Sequence, residues 1–352
     1  CRGAPGYKER VVDPFPGILK FGAMVRRCAT RASNRDFDGT TGQALKGYTA
    51  VKLVYSDQYD LNLGSHVFPS IKYRLTKEKL VKEGVVAEQD IVEPNPASDA
   101  DLMLVHDAVY IHKLKTGTLS FDELARLEIP YSPEMVRAVW LAAGGSILAG
   151  RLALEAGLAV NLTGGFHHAF PDHGEGFCAI HDVATAIRRL QTDKAILRAM
   201  AVDCDVHQGN GTAAIFQGDP AVFTFSIHQE RNYPYPKPPS SLDINLEDGT
   251  EDDGYLAALE QGLSQSLAQF KPDVIFYLAG ADPYREDQLG GLRLSLDGLE
   301  RRDRLVFEAA RSRKIPVVVT LAGGYARRVE DTVRIHFNTV RAAKDYAAAT
   351  RR

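Results

Sequence analysis

Short apolar runs alternate with stretches of helical period along most of this chain, from residue 50 onward. The runs fall at 51–55 (VKLVY), 102–105 (LMLV), 158–162 (LAVNL), 199–204 (AMAVDC), 222–227 (VFTFSI), 274–279 (VIFYLA) and 316–321 (PVVVTL). Several are apolar at nearly every position rather than at alternate ones. That is the pattern of strands covered on both faces in a parallel sheet. Between them, apolar residues recur at helical spacing over about 133–156, 180–190, 252–269, 297–312 and 328–348. Glu251, Asp252 and Asp253 suit the start of the helix near 252, because acids favour the positive end of the helix dipole. Gly157 suits the end of the helix before the third run. The alternation predicts one doubly wound α/β domain over residues 49–352, with right-handed crossovers.

Residues 1–48 break this pattern. Arg26, Arg27, Arg31 and Arg35 sit among Ala, Ser, Thr and Gly with no apolar period. A disordered leader is expected there. The alternative is an organelle transit segment starting near Met24, against which Asp36 and Asp38 count. Composition narrows the function classes only a little. The chain is 45% hydrophobic and 25% charged, ordinary for a globular domain with a real core. A net charge of −3 supplies no global basic field, so no direct nucleic-acid binding is expected. No uninterrupted apolar run reaches about 18 residues, so no membrane span is predicted. The four cysteines show no CxxC pairing, which points to a reducing compartment. The cytoplasm is the expected location, with the nucleus or an organelle as the alternative if residues 1–48 are a targeting segment.

In open α/β sheets the functional groups gather beyond the carboxyl ends of the strands. Five runs end in chemistry-bearing residues beside or near glycines. After LAVNL come His167 and His168, and after AMAVDC come Asp205 and His207. His228 follows VFTFSI, Asp282 follows VIFYLA, and Tyr325 follows PVVVTL. In Asp203-Cys-Asp205-Val-His207 an extended backbone puts the three polar side chains on one side. Buried carboxylates need partners. Asp and neutral His are zinc ligands, Asp282 can join them from another strand, and three protein ligands leave a position open for water. The bland alternative is a strand-end turn in which Asp205 and Asn210 cap backbone amides. The His167-His168 pair follows two glycines that permit a sharp turn, and imidazole suits proton transfer near neutral pH. Tyr325, after Gly323-Gly324, is either a surface group or a donor to an oxyanion. Cys204 reads as a buried strand residue. His66 and His228 either line the site or cap loops.

The segments GGFHHAFPDHGEGFC (164–178), DCDVHQGNG (203–211), GADP (280–283) and GGY (323–325) resemble, in order and spacing, the signatures of zinc-dependent histone deacetylases. LNLGSHVFPSIKYRL (61–75) is similar to the N-terminal segment of bacterial and class IV-like members. The resemblance spans roughly 50–348. It implies the three-layer arginase/deacetylase fold, an α/β architecture with a mostly parallel central sheet and helices on both faces. It also implies hydrolysis of the amide of an acyl-lysine in a protein or peptide. On the matching positions, Asp205, His207 and Asp282 would bind zinc, with ferrous iron as the alternative. His168 would be the general base and acid, assisted by His167, and Tyr325 would hold the oxyanion. Asp203 would orient His167, and Asn210 would stand behind His168. Gly176, Phe177, Tyr233 and Leu289 would line a narrow substrate tunnel. Asp203, Asp205, His207 and Ser226 lie where the family often holds a structural potassium ion.

Asn210 departs from the class I pattern, which has an aspartate there. Gln-Gly-Asn-Gly at 208–211 resembles class IV and class II members more than class I, and Gly-Gly-Leu at 290–292 leans toward class IV, some members of which prefer long acyl chains. Glu128 is the candidate for an acidic residue at the mouth, against a plain loop charge. Two other functions stay open: an amidohydrolase of small acylated amines such as acylpolyamines, and a catalytically silent acyl-lysine binding protein. A binuclear ureohydrolase would need more aspartates near 280–285 than Asp282 alone.

Overall fold

Valine- and isoleucine-rich runs with no polar alternation become central strands because both of their faces are covered. The chain, a computed structural model, is described over residues 51–349. Residues 1–48, expected to be a leader, lie outside the described residues. The strands are β1 (Lys52–Val54), β2 (Ile91–Val92), β3 (Leu158–Asn161), β4 (Ala199–Asp203), β5 (Val222–Gln229), β6 (Leu242–Leu246), β7 (Val274–Leu278) and β8 (Val317–Thr320). They form one eight-stranded sheet in the order β2-β1-β3-β8-β7-β4-β5-β6, and every pairing is parallel. Every residue of β3, β4, β7 and β8 is buried. Successive strand side chains point to opposite faces, so helices must cover both. One group pairs Pro133–Ala156 with Asp182–Thr192. The other packs Asp252–Gln269, Leu296–Arg311, Val329–Ala349 and Lys72–Lys82 in a row.

Each of the five expected helices is present. Gly157 ends Pro133–Ala156 in the left-handed conformation, and Asp252 and Asp253 open the first turn of Asp252–Gln269. The run at 102–105 is not a strand. Ser98 caps the helix Asp99–Leu102, and the chain then turns, burying Leu102 while leaving Met103 exposed. A four-residue apolar run does not carry enough period to separate a strand from a helix end. The edge strands β2 and β6 have no counterpart among the apolar runs, since each is only partly buried and its composition is mixed. The helix Pro133–Ala156 is long and apolar enough to cross a membrane by composition, but 72% of its most apolar window is buried within the protein. It is a core helix.

A histidine pair fixes the start of Asp182–Thr192. His106 Nδ1 donates to the Phe170 carbonyl at 2.9 Å, and its Nε2 accepts from the His181 N–H at 3.0 Å. His181 in turn accepts from the Ala184 N–H through Nδ1 at 3.1 Å. Protonation of His106 would turn its only acceptor into a donor facing an N–H. Burial therefore pulls its pKa from 6.5 down to about 4. The unfolded chain takes up this proton near pH 6.5 and the folded one only near 4, so stability present at neutral pH is lost as pH falls through that window. The gap corresponds to about 3 kcal/mol. Urea unfolding at a series of pH values is expected to show this loss, with His106→Gln flattening the slope. An identical slope in that variant would dismiss the role.

Candidate active site

The sheet order places β3, β8, β7 and β4 side by side, and all are parallel. Their carboxyl ends therefore open at one edge, and the loops after them carry His167-His168, Tyr325, Asp282 and Asp205-His207 respectively. Loop positions are then set by buried hydrogen bonds. After β3, Gly165 N and Phe166 N donate to Asp182 Oδ1 at 3.0 and 2.9 Å, and Ser146 Oγ donates to Oδ2 at 2.5 Å. The His167 carbonyl accepts from Thr212 N at 3.1 Å, which docks the histidine loop on Asn210–Ile215. Below β4 and β7, the fully buried Arg302 donates to the Gly280 carbonyl at 2.5 Å and to Asp303 at 2.8 Å.

Asp205, His207 and Asp282 are all buried, and their ligand atoms lie within 4.8 Å of one another. Asp205 Oδ1 accepts from His207 N at 3.0 Å and faces His207 Nδ1 at 3.0 Å, while Oδ2 accepts from Gly323 N at 2.8 Å. A Cβ on Gly323 would lie 2.0 Å from Asp282 Oδ2, so only glycine lets the backbone approach this closely. Asp282 Oδ1 accepts from Val206 N at 2.9 Å. Its Oδ2 is buried with no hydrogen-bond donor, and His207 Nδ1 stands 3.6 Å away, beyond hydrogen-bond reach. Burial and the neighbouring Asp205 push Asp282 up to about 7. Burial opposes ionisation of Asp205 too, but His167 and His207 hold it well below the carboxylate range. Two buried carboxylates converging on one imidazole, one with an orphaned oxygen, fit a divalent cation.

The histidine pair lies against this cluster. His167 Nδ1 contacts Asp203 Oδ2 at 2.6 Å, and its Nε2 is 3.8 Å from Asp205 Oδ1. Burial works against its protonation, but Asp203 and Asp205 outweigh it and lift His167 to about 9. His168 has the opposite balance. Burial, then the charges of His167 and His207, hold it well below 6.5, so it is neutral. Its Nδ1 contacts Asn210 Oδ1 at 2.6 Å, and its ring centroid is 4.0 Å from that of His167. Adjacent histidines thus receive different protonation states from a carboxylate behind one and an amide behind the other.

Tyr325 is 8% exposed, with its ring centroid 6.4 Å from His207 and 5.8 Å from Phe177. Its N–H donates to Asp287 Oδ2 at 2.7 Å. Asp287 Oδ1 accepts from the Leu289 and Gly290 N–H groups at 2.8 and 3.1 Å, so a single buried carboxylate braces both the tyrosine and the Leu289 loop. The residues expected to line a tunnel fall in two aromatic groups. Phe177 stacks on Phe68 at 6.1 Å and meets His66 edge-on at 5.1 Å. Tyr233 meets His168 at 4.9 Å and His207 at 6.3 Å. Gly176 adopts φ +52, where a Cβ would press on His168 and Tyr233. Asn232 joins Leu289 to the Tyr233 segment, its Nδ2 donating to the Leu289 carbonyl at 2.8 Å.

The other expected positions are also placed. Ser226 pairs in register with Asp203, and its hydroxyl bonds His228 Nδ1 at 2.9 Å, with His228 inside β5. Cys204 is fully buried and its thiol is pushed up to about 12 by burial, which suits the core and not a nucleophile. Glu128 is exposed at the end of Phe121–Leu127, and its carbonyl accepts from His66 Nε2 at 2.9 Å. Lys72, Glu175 and Asp287 were not singled out from the sequence. Lys72 is fully buried, donates to the Ala322 carbonyl at 2.8 Å, and sits 5.6 Å from the Tyr325 ring centroid. Burial draws it down to about 8, against the pull of Asp282, Asp205 and Asp287. A single charge in HVFPSIKY gives no period to read. Glu175, between two glycines inside a quoted motif, offered at most its composition as a signal.

A profile of the Histone deacetylase domain matches residues 66–340. An uncharacterized protein of Picosynechococcus is 44% identical over 280 residues, covering 80% of this chain and 93% of its own length. Histone deacetylase 2 of Arabidopsis thaliana is 34% identical over 300 residues, covering 80% and 78%. The crystal structure of an HDAC homolog from Aquifex aeolicus superposes with a TM-score of 0.72 at 24% identity, covering 86% of this chain and 88% of that one.

Proposed function

Since the chain belongs to the histone deacetylase family, we propose that it hydrolyses the amide bond of acylated lysine side chains in proteins or peptides. The observation that carries this reading is the neutral His168 packed beside a buried Asp205-His207-Asp282 cluster, with Tyr325 on the same rim. Asp205, His207 and Asp282 would hold zinc, or ferrous iron, which when bound supplies Lewis-acid polarisation of the acyl carbonyl and of the attacking water. His168 Nε2 accepts the water proton and later delivers it to the departing amine. His167, held charged by Asp203, contributes a fixed positive field beside the reacting carbonyl. The Tyr325 hydroxyl donates to the oxygen on which negative charge develops. Phe177 and Tyr233 close an aromatic passage that suits a long, thin acyl-lysine stem. Asp203, Asp205, His207 and Ser226 remain the proposed surroundings of a structural potassium ion.

Small acylated amines are the second reading. Burial, and then the charge of Glu175, raise the pKa of Glu128, and acidic groups this near each other suit a free polycation. Turnover of acetyl-, butyryl- and myristoyl-lysine peptides by zinc-loaded protein, beside free acylpolyamines, tests both. Peptide turnover lost on chelation is expected. Turnover of polyamine alone would move the substrate to the second reading. Zinc binding with no release of carboxylate from any substrate would sink the hydrolase in favour of a silent binding protein.

A further inference from the structure

The amide behind His168 is not the end of its hydrogen-bond chain. Asn210 Nδ2 donates to Glu175 Oε1 at 2.5 Å. The same oxygen accepts from the Tyr233 hydroxyl at 2.6 Å, and Oε2 lies 3.6 Å from His173 Nε2. Glu175 is 17% exposed; burial raises its pKa, but the nearby His173 and the two donors Tyr233 and Asn210 outweigh burial and hold it below the usual carboxylate value. On the other side of the amide, Asn210 Oδ1 accepts from the Gly211 N–H at 3.0 Å. An amide has one accepting and one donating end. Gly211 N–H can only donate and the carboxylate can only accept, so the two together admit one orientation. A flipped amide would set NH₂ against N–H and oxygen against carboxylate. The admitted orientation turns Oδ1 toward His168 Nδ1, which must then carry hydrogen.

Resting on the deacylase reading of this site, we propose that Glu175 is a positioning residue. By holding Asn210 it locks His168 as the Nδ1–H tautomer and leaves the Nε2 lone pair free for the attacking water. In class I members an aspartate at the Asn210 position could impose this directly; here the carboxylate stands one amide farther out. Because Tyr233 hangs on the same oxygen, the tunnel wall and the base share one anchor.

The test uses the zinc-loaded full chain with ¹⁵N-labelled histidine. Long-range proton–nitrogen correlation spectra read the tautomer, and His168→Gln assigns the signal. Wild type is expected as Nδ1–H. Glu175→Ala is expected to show a mixture of tautomers and a kcat on acyl-lysine peptide about 10-fold lower, with KM within about twofold. Glu175→Gln keeps an accepting oxygen and is expected to retain the wild-type tautomer and most of the rate, which controls for folding. The background at 210 supplies a sign reversal. Removing Glu175 lowers kcat when residue 210 is Asn. With Asn210→Asp it raises kcat, because the new carboxylate holds His168 directly and no longer faces a second one. An unchanged tautomer in Glu175→Ala, or the same direction of effect in both backgrounds, overturns the proposal. The tautomer is read without turnover, so a tautomer change in a protein inactive on every acyl-lysine would sink the deacylase reading and leave this one standing.

Discussion

Asp205→Ala is expected to lose zinc binding and hydrolysis together. Asp205 would be more than one ligand among three. It bonds the His207 and Gly323 N–H groups, and its charge favours the protonated form of His207. Burial disfavours that proton, but the Asp205 contact and the nearby Asp282 carboxylate outweigh it and lift His207 to about 10. A ligating imidazole must be neutral, so zinc binding near pH 7 has to expel this proton. Wild type should therefore bind zinc with release of at least one proton, seen in an unbuffered titration. Its melting temperature should also rise, since saturating a site to about 1,000 times Kd stabilises by about 4 kcal/mol. Asp205→Ala should show no zinc by metal analysis, no stabilisation by zinc, and turnover at background. Zinc held by the variant as tightly as by wild type would remove Asp205 from the site.

Tyr325→Phe should separate rate from metal. The ring is buried among Phe68, Phe177 and His207, and a phenylalanine keeps those contacts. Asp287 holds the backbone N–H, which the substitution does not touch. Only the hydroxyl is lost. Removing one donor to a developing oxyanion costs about 3–4 kcal/mol, or roughly 10²–10³ in kcat. Zinc content and melting temperature should match wild type, and KM should change little, because the interaction strengthens only as charge develops. A variant with undiminished kcat would take Tyr325 out of the reaction.

The two predictions draw on different depths of the sequence. The central strands could be read from composition because burial on both faces leaves no polar alternation, as in β7 (VIFYL) and β8 (VVVT). Their loop residues could be read because every parallel strand delivers its carboxyl end to the same edge. His167, His168, Asp205, His207, Asp282 and Tyr325 were all named from that rule and from the family resemblance. The structure brings them around one buried cluster. The run at 102–105 misled because four apolar residues fit a helix end as well as a strand. The edge strands β2 and β6 escaped because half-covered strands have no continuous apolar run.

The linear chain by itself determined the layered α/β architecture and which side chains sit at the strand ends, since both follow from local period and from the parallel direction of the sheet. Only the tertiary structure decided how those side chains are charged and held. The resemblance already set Asp203 behind His167 and Asn210 behind His168; the burial and the charges of Asp205 and His207 around the two rings came only with the structure. Glu175 braces Asn210 from 35 residues away, and Asp287 braces Tyr325 from 38. Protonation and orientation depend on what surrounds a group in space, and desolvated contacts between distant segments leave no period in the sequence to read.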